Sequence, residues 1–90
     1  MFRVEWLASA LNELAEIWTQ ADAVLRQAIT AATAQIDQKL RIDPSLQGES
    51  RAGGRRVLFE APLGITFRVE QDQQTAIVVR VWLFRRRGSP

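Results

Sequence analysis

The stretch from Ala76 to Phe84 constrains the fold of this chain more than any other part of the sequence. It is rich in β-branched and aromatic residues, and only Arg80 interrupts its apolar character. Such a short run cannot span a membrane as a helix, and its composition predicts a central strand that is apolar on both faces. The upstream segments would cover one face. The cover of the second face remains to be explained.

Missing residue types exclude several kinds of chemistry. The chain of 90 residues has no cysteine, histidine or tyrosine, and Lys39 is its only lysine. Disulfides are therefore excluded, and zinc sites, histidine acid–base pairs and cysteine or lysine nucleophiles are excluded or nearly so. We expect neither a metal nor another cofactor.

The overall composition predicts one ordered domain. The hydrophobic fraction of 47% and the charged fraction of 24% are ordinary for a globular protein. We assign residues 1–87 to this domain and residues 88–90 to a flexible tail. Because the N-terminus lacks a signal pattern and no transmembrane segment is apparent, we expect a cytoplasmic protein that has no contact with membranes.

Hydrophobic periodicity predicts a strand and two helices in the first half. Residues 2–6 alternate with period two, as in a half-buried strand. Helical spacing follows over about residues 8–20, with Ser9 as a candidate N-cap, and then from Asp22, a second N-cap candidate, to about residue 41. The short connection between the helices predicts an antiparallel helical hairpin.

The second half reads as a loop and three strands. Residues 44–54 contain three glycines and lack periodicity, which predicts a long loop. Strands are predicted at 55–60, 65–70 and 76–84, and the short turns between them give an antiparallel meander. The order β-α-α-β-β-β predicts an α+β two-layer sandwich, with an antiparallel sheet packed on the helical hairpin.

Alternation along the last strand divides it into two stripes. Ile77, Val79, Val81 and Leu83 are predicted to face the helices. The opposite stripe would then be exposed, and it consists of Val78, Arg80, Trp82 and Phe84. An apolar strip rimmed by arginines is typical of an interaction surface. The alternative is that the long loop or a second copy of the chain covers it, as in a homodimer.

Positive charge is concentrated in the second half. The formal net charge is +2, but residues 1–42 carry four basic and five acidic side chains, whereas residues 43–90 carry eight arginines and five acids. Clusters lie at Arg51, Arg55 and Arg56, and at Arg85–Arg87. Such clusters favour phosphate or carboxylate partners. A charged strand edge that is protected against aggregation is the simpler alternative.

This order of elements resembles the RelE/ParE superfamily of toxins from bacterial type II toxin–antitoxin systems. The likeness spans nearly the whole chain, and each motif is weak when taken alone. The matching segments are Phe2–Trp6 with Ala10, Leu14 and Ile17-Trp18; Ile36-Asp37 before Asp43-Pro44; Gly54–Val57; Gly64–Val69; and Val78–Trp82.

The resemblance implies a small toxin that a cognate antitoxin protein holds inactive, as in plasmid stabilisation systems. Members of this superfamily either cleave messenger RNA on the ribosome or inhibit DNA gyrase. The ribonucleases commonly carry an arginine where this chain has Thr66, and often a late tyrosine or histidine, which this chain lacks. Arginine stays protonated and is a poor general base. These departures favour growth inhibition by gyrase-type binding.

We predict two groups of site residues. Arginines that contact the target or a phosphate are Arg80, Arg85, Arg86, Arg51, Arg55 and Arg56. Apolar residues that bind a partner are Val78, Trp82 and Phe84. Two alternatives remain open: a ribosome-dependent endoribonuclease in which Glu49 or Glu60 supplies the base, and an interaction module of the same fold without toxicity.

Overall fold

A five-stranded sheet carries two helices on one face. The computed structural model describes residues 1–84, so Arg85, Arg86 and the predicted tail lie outside the described residues. The elements are β1 (Arg3–Trp6), α1 (Ala8–Thr19), α2 (Ala23–Ile42), β2 (Glu49–Arg51), β3 (Arg55–Glu60), β4 (Leu63–Glu70) and β5 (Thr75–Leu83). The strand order is β1-β5-β4-β3-β2, with β1 parallel to β5 and the other pairs antiparallel. The predicted α+β two-layer sandwich is confirmed, but the sheet is mixed and not wholly antiparallel as predicted, because β1 pairs with β5 in parallel.

The two helices begin in different ways. Asp22 caps α2, because its carboxylate accepts a hydrogen bond of 2.8 Å from the Leu25 N–H. The predicted Ser9 cap is wrong, since α1 begins at Ala8 with Leu7 as its N-cap, which places Ser9 inside the helix. Leu7 has an extended backbone, and its N–H donates to the Val78 carbonyl at 3.0 Å. Pairing with β5 therefore fixes the start of α1.

The predicted loop at residues 44–54 contains a strand that the sequence did not reveal. Short 3-10 turns cover Pro44–Leu46 and Ala52–Gly54, and β2 lies between them, paired with β3. No side chain of β2 is apolar or buried, so periodicity could not indicate this strand. Gly48 precedes it with a φ of 65°, and a Cβ at this position would lie 2.1 Å from the Val57 carbonyl oxygen. Only glycine fits there.

The core lies between the sheet and the helices. Ile65 and Phe67 of β4 are fully buried against the apolar side of α2, which contributes Ile29, Ile36 and Leu40. This confirms the alternation predicted for β4, whose even-numbered residues Thr66 and Arg68 lie on the opposite face. We call that opposite face, which lies away from the helices, the outer face.

A β-bulge corrects the two stripes predicted for β5. Phe67 pairs with Val78 whereas Thr66 pairs with Arg80, so Val79 is an extra residue and the alternation is reset. Val78 is therefore wrongly placed in the exposed stripe: it is fully buried in the core with Val81. Ile77, which was assigned to the helix side, pairs with Arg68 and faces outward.

Candidate interaction surfaces

An aromatic cluster occupies one end of the outer face. Phe59, Gly64 and Trp82 pair across β3, β4 and β5 and so point to the same side. Because Gly64 has no side chain, the Trp82 ring lies directly over it; a Cβ there would stand 2.6 Å from the ring. Phe59 meets Trp82 edge to face at 6.1 Å and Phe84 at 4.9 Å between ring centroids. Phe59 keeps 53% of its surface exposed.

Arginines lie on one side of this cluster on the outer face. Arg51, Arg55 and Arg68 pair successively across β2, β3 and β4, which places them in one row. Arg80 pairs with Thr66 in the next row toward the aromatic residues. The fold thus brings together Arg51, Arg55 and Arg80, which the sequence indicated, and adds Arg68. Arg85 and Arg86 lie outside the described residues and cannot be placed.

Arg56 lies on the other side of the sheet and anchors the preceding loop. It pairs with Phe67, a core residue, so it points to the helix side. Its guanidinium donates to the carbonyl oxygens of Gln47 at 2.8 Å and Gly48 at 3.2 Å. Arg56 is therefore separated from the other predicted contact arginines and has a structural role in this fold.

Carboxylates engage several of the outer arginines. Arg51 contacts Glu49 and Arg68 contacts Glu70, each at 3.2 Å. Within residues 1–84, Arg55 forms no ion pair. Exposed pairs of this kind contribute at most about 1 kcal/mol, so a phosphate or carboxylate of a partner can replace them. The outer face is therefore a basic surface whose charges can be exchanged.

The two candidate general bases lie on opposite sides of the sheet. Glu60 points to the helix side, where the Lys39 ammonium contacts it at 2.6 Å. Glu49 lies on the outer face in its pair with Arg51. No group of three or more metal-ligating side chains occurs in the part of the chain that the structure describes. None of the helices described there is long and apolar enough to cross a membrane.

A groove between the two helices was not indicated by the sequence. Its volume is about 680 Å³, and its walls come from α1 and α2 with Trp6 of β1. Apolar and small residues predominate among the lining, including Leu11, Leu14, Ala15, Trp18, Ile29 and Ala34. Leu11 is 50% exposed and Trp18 is 39% exposed. The apolar sides of the two helices, from which the core was predicted, are wider than the sheet can cover. Their uncovered part lines this groove.

Arg26 contacts Trp18, one of the residues that line this groove. Its guanidinium lies 5.2 Å from the centroid of the Trp18 ring, and its Nε donates to the Trp18 carbonyl at 3.0 Å. This cation–π contact fixes the exposed indole in place. Arg26 thus restrains one side chain of the groove wall.

Several solved structures from toxin–antitoxin systems share this fold. A chain of the RelBE2 toxin–antitoxin complex from Mycobacterium tuberculosis matches with a TM-score of 0.70 and 14% identity, over 91% of this chain and 90% of the other. The chromosomal ParDE system from P. aeruginosa matches with 0.64 and 18%, over 94% and 98%. Isolated E. coli RelE matches with 0.58 and 12%, over 96% and 87%.

These matches confirm that the chain has the RelE/ParE toxin fold that its sequence resembles. No protein-family model matches the chain, and no curated protein matches it significantly. At identities below 20%, the likeness establishes the architecture alone. The role of each surface has to come from its own chemistry.

Proposed function

We propose that this chain is the toxin of a bacterial toxin–antitoxin system and inhibits growth by binding a cellular target with its outer face. The likeness to solved toxins over at least 91% of the chain carries the proposal. The outer face supports it, because exposed aromatic rings beside exchangeable arginines suit a macromolecular partner. We place this action in the bacterial cytoplasm, in a system that stabilises plasmids.

Inhibition of DNA gyrase by binding is favoured over cleavage of messenger RNA on the ribosome. Acid–base cleavage needs a side chain that can take up a proton, and the chain has no histidine or tyrosine. Of the two carboxylates considered as bases, Glu60 is engaged by Lys39 on the helix side, away from the outer arginines, and Glu49 alone lies on the outer face, in an exchangeable pair with Arg51. Binding through arginines and aromatic residues requires no proton transfer.

The cognate antitoxin would dock in the groove between α1 and α2. The matching RelBE2 and ParDE structures come from toxin–antitoxin systems. A long apolar groove with exposed Leu11 and Trp18 fits the apolar side of an amphipathic helix. Antitoxin docking on the predicted strip of Trp82 and Phe84 remains a second proposal, in which one partner would cover the outer face directly.

Inducible expression in a bacterium without the antitoxin tests toxicity. We expect growth to stop, and we expect the double variant Arg55→Ala/Arg80→Ala to restore it. Arg41→Ala is the matched control, because Arg41 is an exposed arginine at the end of α2 and pairs with Asp37. Unimpaired growth with the unmodified chain would contradict the proposal and support the non-toxic interaction module.

Purified targets separate the two mechanisms. We expect the protein to inhibit DNA supercoiling by gyrase and to leave ribosome-bound messenger RNA intact. Cleavage of that RNA, lost in Glu49→Gln, would instead establish the endoribonuclease.

A second experiment tests the antitoxin groove with the product of the adjacent reading frame. Leu11→Glu places a charge in the groove and should abolish neutralisation of toxicity while toxicity itself persists. Val24→Glu is the matched control, because Val24 is 78% exposed and does not line the groove. Equal loss of neutralisation in both variants, or none in either, would place the antitoxin elsewhere.

A further inference from the structure

The second half of β5 has a strand neighbour on one side only. Strand β1 pairs with Thr75–Val78, and the backbone contact of Leu7 with Val78 extends this pairing by one step. The chain then turns into α1 at Ala8, so β1 cannot continue. From Val79 to Leu83 the edge of β5 away from β4 therefore lacks a strand partner within residues 1–84.

A side chain takes the place of the missing strand. The Glu13 carboxylate accepts a hydrogen bond from the Val81 N–H at 3.1 Å through Oε1. Its Oε2 accepts one from the Arg80 Nε at 3.2 Å. A backbone N–H at a strand edge needs an acceptor, and here α1 supplies it. The same contact draws the Arg80 guanidinium toward α1, although its register places this residue on the outer face.

A cleft lies beside this contact, on the side of α1 opposite the groove. It has a volume of about 400 Å³ and lies between α1 and the end of β5. Ile17, Leu25 and Leu83 give it apolar walls, and Glu16 stands one helical turn after Glu13 at its rim. Among residues 1–84, two carboxylates and one arginine line the cleft, which gives it a formal net charge of −1.

We propose that this cleft binds an extended segment of another protein, which adds to β5 beside Val81 and carries arginine or lysine. A carbonyl of the segment would accept the Val81 N–H in place of Glu13, as in other cases of strand addition. The displaced Glu13 carboxylate would then lie with Glu16, and a basic side chain of the segment would pair with both. An acidic segment would face like charge instead, which is strongly unfavourable.

This inference goes beyond the proposed function, since it uses neither the helical groove nor the aromatic cluster. Arg80, however, connects the cleft with the outer face. A segment that displaces Glu13 also releases Arg80, so binding in the cleft makes this guanidinium available on the outer face. Each ligand would then strengthen the other by the same factor, because coupling between sites is reciprocal.

Two synthetic peptides test the proposal on the intact chain. One is acetyl-Val-Arg-Val-Arg-Val-amide, and the other has glutamate in place of both arginines. With ¹⁵N-labelled protein, we expect the basic peptide to shift the Val81 amide resonance and slow its hydrogen exchange. The acidic peptide should bind at least about tenfold more weakly. Equal binding of both peptides, or an unchanged Val81 amide, would overturn the proposal.

Matched charge reversals separate the cleft from general attraction. Glu16→Lys should weaken binding of the basic peptide about tenfold or more, and the milder Glu16→Gln should weaken it less. Glu5→Lys makes the same change on β1, away from the cleft, and should leave binding unchanged. Equal weakening by Glu5→Lys and Glu16→Lys would overturn the site, as would resonance shifts confined to the outer face. Protection of the Val81 amide that rises with protein concentration alone would identify a second copy as the occupant and overturn the proposal too.

Discussion

The outer face of the sheet and the groove between the helices are both open to partners, yet they consist of different residue types. On the outer face, arginines lie on one side of a compact aromatic cluster in which Phe59 meets Trp82 and Phe84. In the groove, apolar side chains of α1 and α2 predominate, and Arg26 contacts Trp18 beside it. The first surface attracts charged partners over a distance, whereas the second rewards burial of apolar surface.

The two surfaces also differ in how their tryptophans are supported. Trp82 packs flat on the backbone of Gly64 and against Phe59, so the sheet itself holds it. Trp18 contacts Arg26 on one side and keeps 39% of its surface exposed at the groove. We therefore expect the aromatic cluster to contribute more than the groove residues to the free energy of unfolding. Four measurements test this difference between the two surfaces.

The largest effect is expected from removing the two tryptophans separately. Trp82→Ala should lower the free energy of unfolding by about 3 kcal/mol, at the low end for aromatic truncation because the ring is only half-buried. Trp18→Ala should lower it less, by about 2 kcal/mol, since Trp18 is 39% exposed. Urea unfolding followed by circular dichroism measures both. Equal losses would remove the distinction between the two surfaces.

A smaller effect is expected from adding one methyl group beneath Trp82. Gly64→Ala would place a Cβ 2.6 Å from the Trp82 ring, so the indole must move. We expect a loss of about 2 kcal/mol and a red-shifted tryptophan emission as the ring becomes more exposed. Gly53→Ser is a useful comparison for the emission, because nothing lies within 4 Å of a Cβ there and only the positive φ of 77° strains the new side chain. It should lower stability without shifting the tryptophan emission. An unchanged emission in Gly64→Ala would mean that the ring does not depend on this glycine.

The helix cap tests the wall of the groove. Asp22→Ala removes the acceptor for the Leu25 N–H and should cost about 1 kcal/mol. Ser9→Ala should change the free energy of unfolding by only a few tenths of a kcal/mol, since Ser9 lies inside α1 and does not cap it. Thermal unfolding of the two variants gives the comparison. A larger loss in Ser9→Ala would restore the cap that the sequence alone suggested.

The smallest effect is expected from the charges of the outer face. Arg51→Ala and Arg68→Ala each break an exposed ion pair and should change the free energy of unfolding by less than about 0.5 kcal/mol. Losses above about 1 kcal/mol would mean that these arginines mainly stabilise the sheet.

Salt should weaken target binding at the outer face more than antitoxin binding in the groove, because charge contacts are screened and apolar burial is not. Binding measured at two ionic strengths would show the difference.

Prediction from the sequence succeeded where burial and periodicity agree. Strand β4 alternates because one of its faces packs on α2, so Ile65 and Phe67 could be assigned to the core in advance. The Asp22 cap was also predictable, since a carboxylate before a periodic run has a local partner in the first turn. The same patterns predict only in part that Arg51, Arg55, Trp82 and Phe84 lie on the outer face, because the face of each residue also depends on how the strands pair.

Prediction failed where the pattern is uniform or the residues are polar. An extra residue in an entirely apolar run leaves no mark in the alternation, so the bulge at Val79 reversed the predicted positions of Val78 and Ile77. Strand β2 has only polar side chains and forms through its pairing with β3. The groove depends on how far apart two helices pack, and helical spacing carries no information about that distance.

The Ala76–Phe84 stretch separates what composition can predict from what strand pairing determines. Its β-branched and aromatic composition by itself determined a central strand, because such side chains fill both faces of a covered sheet. The tertiary structure decided which side each residue takes, through a bulge whose position depends on pairing with β4. It also decided that Glu13, distant in the chain, completes the edge at Val81. Local propensity acts within a few residues, whereas register and edge contacts exist only once distant segments meet.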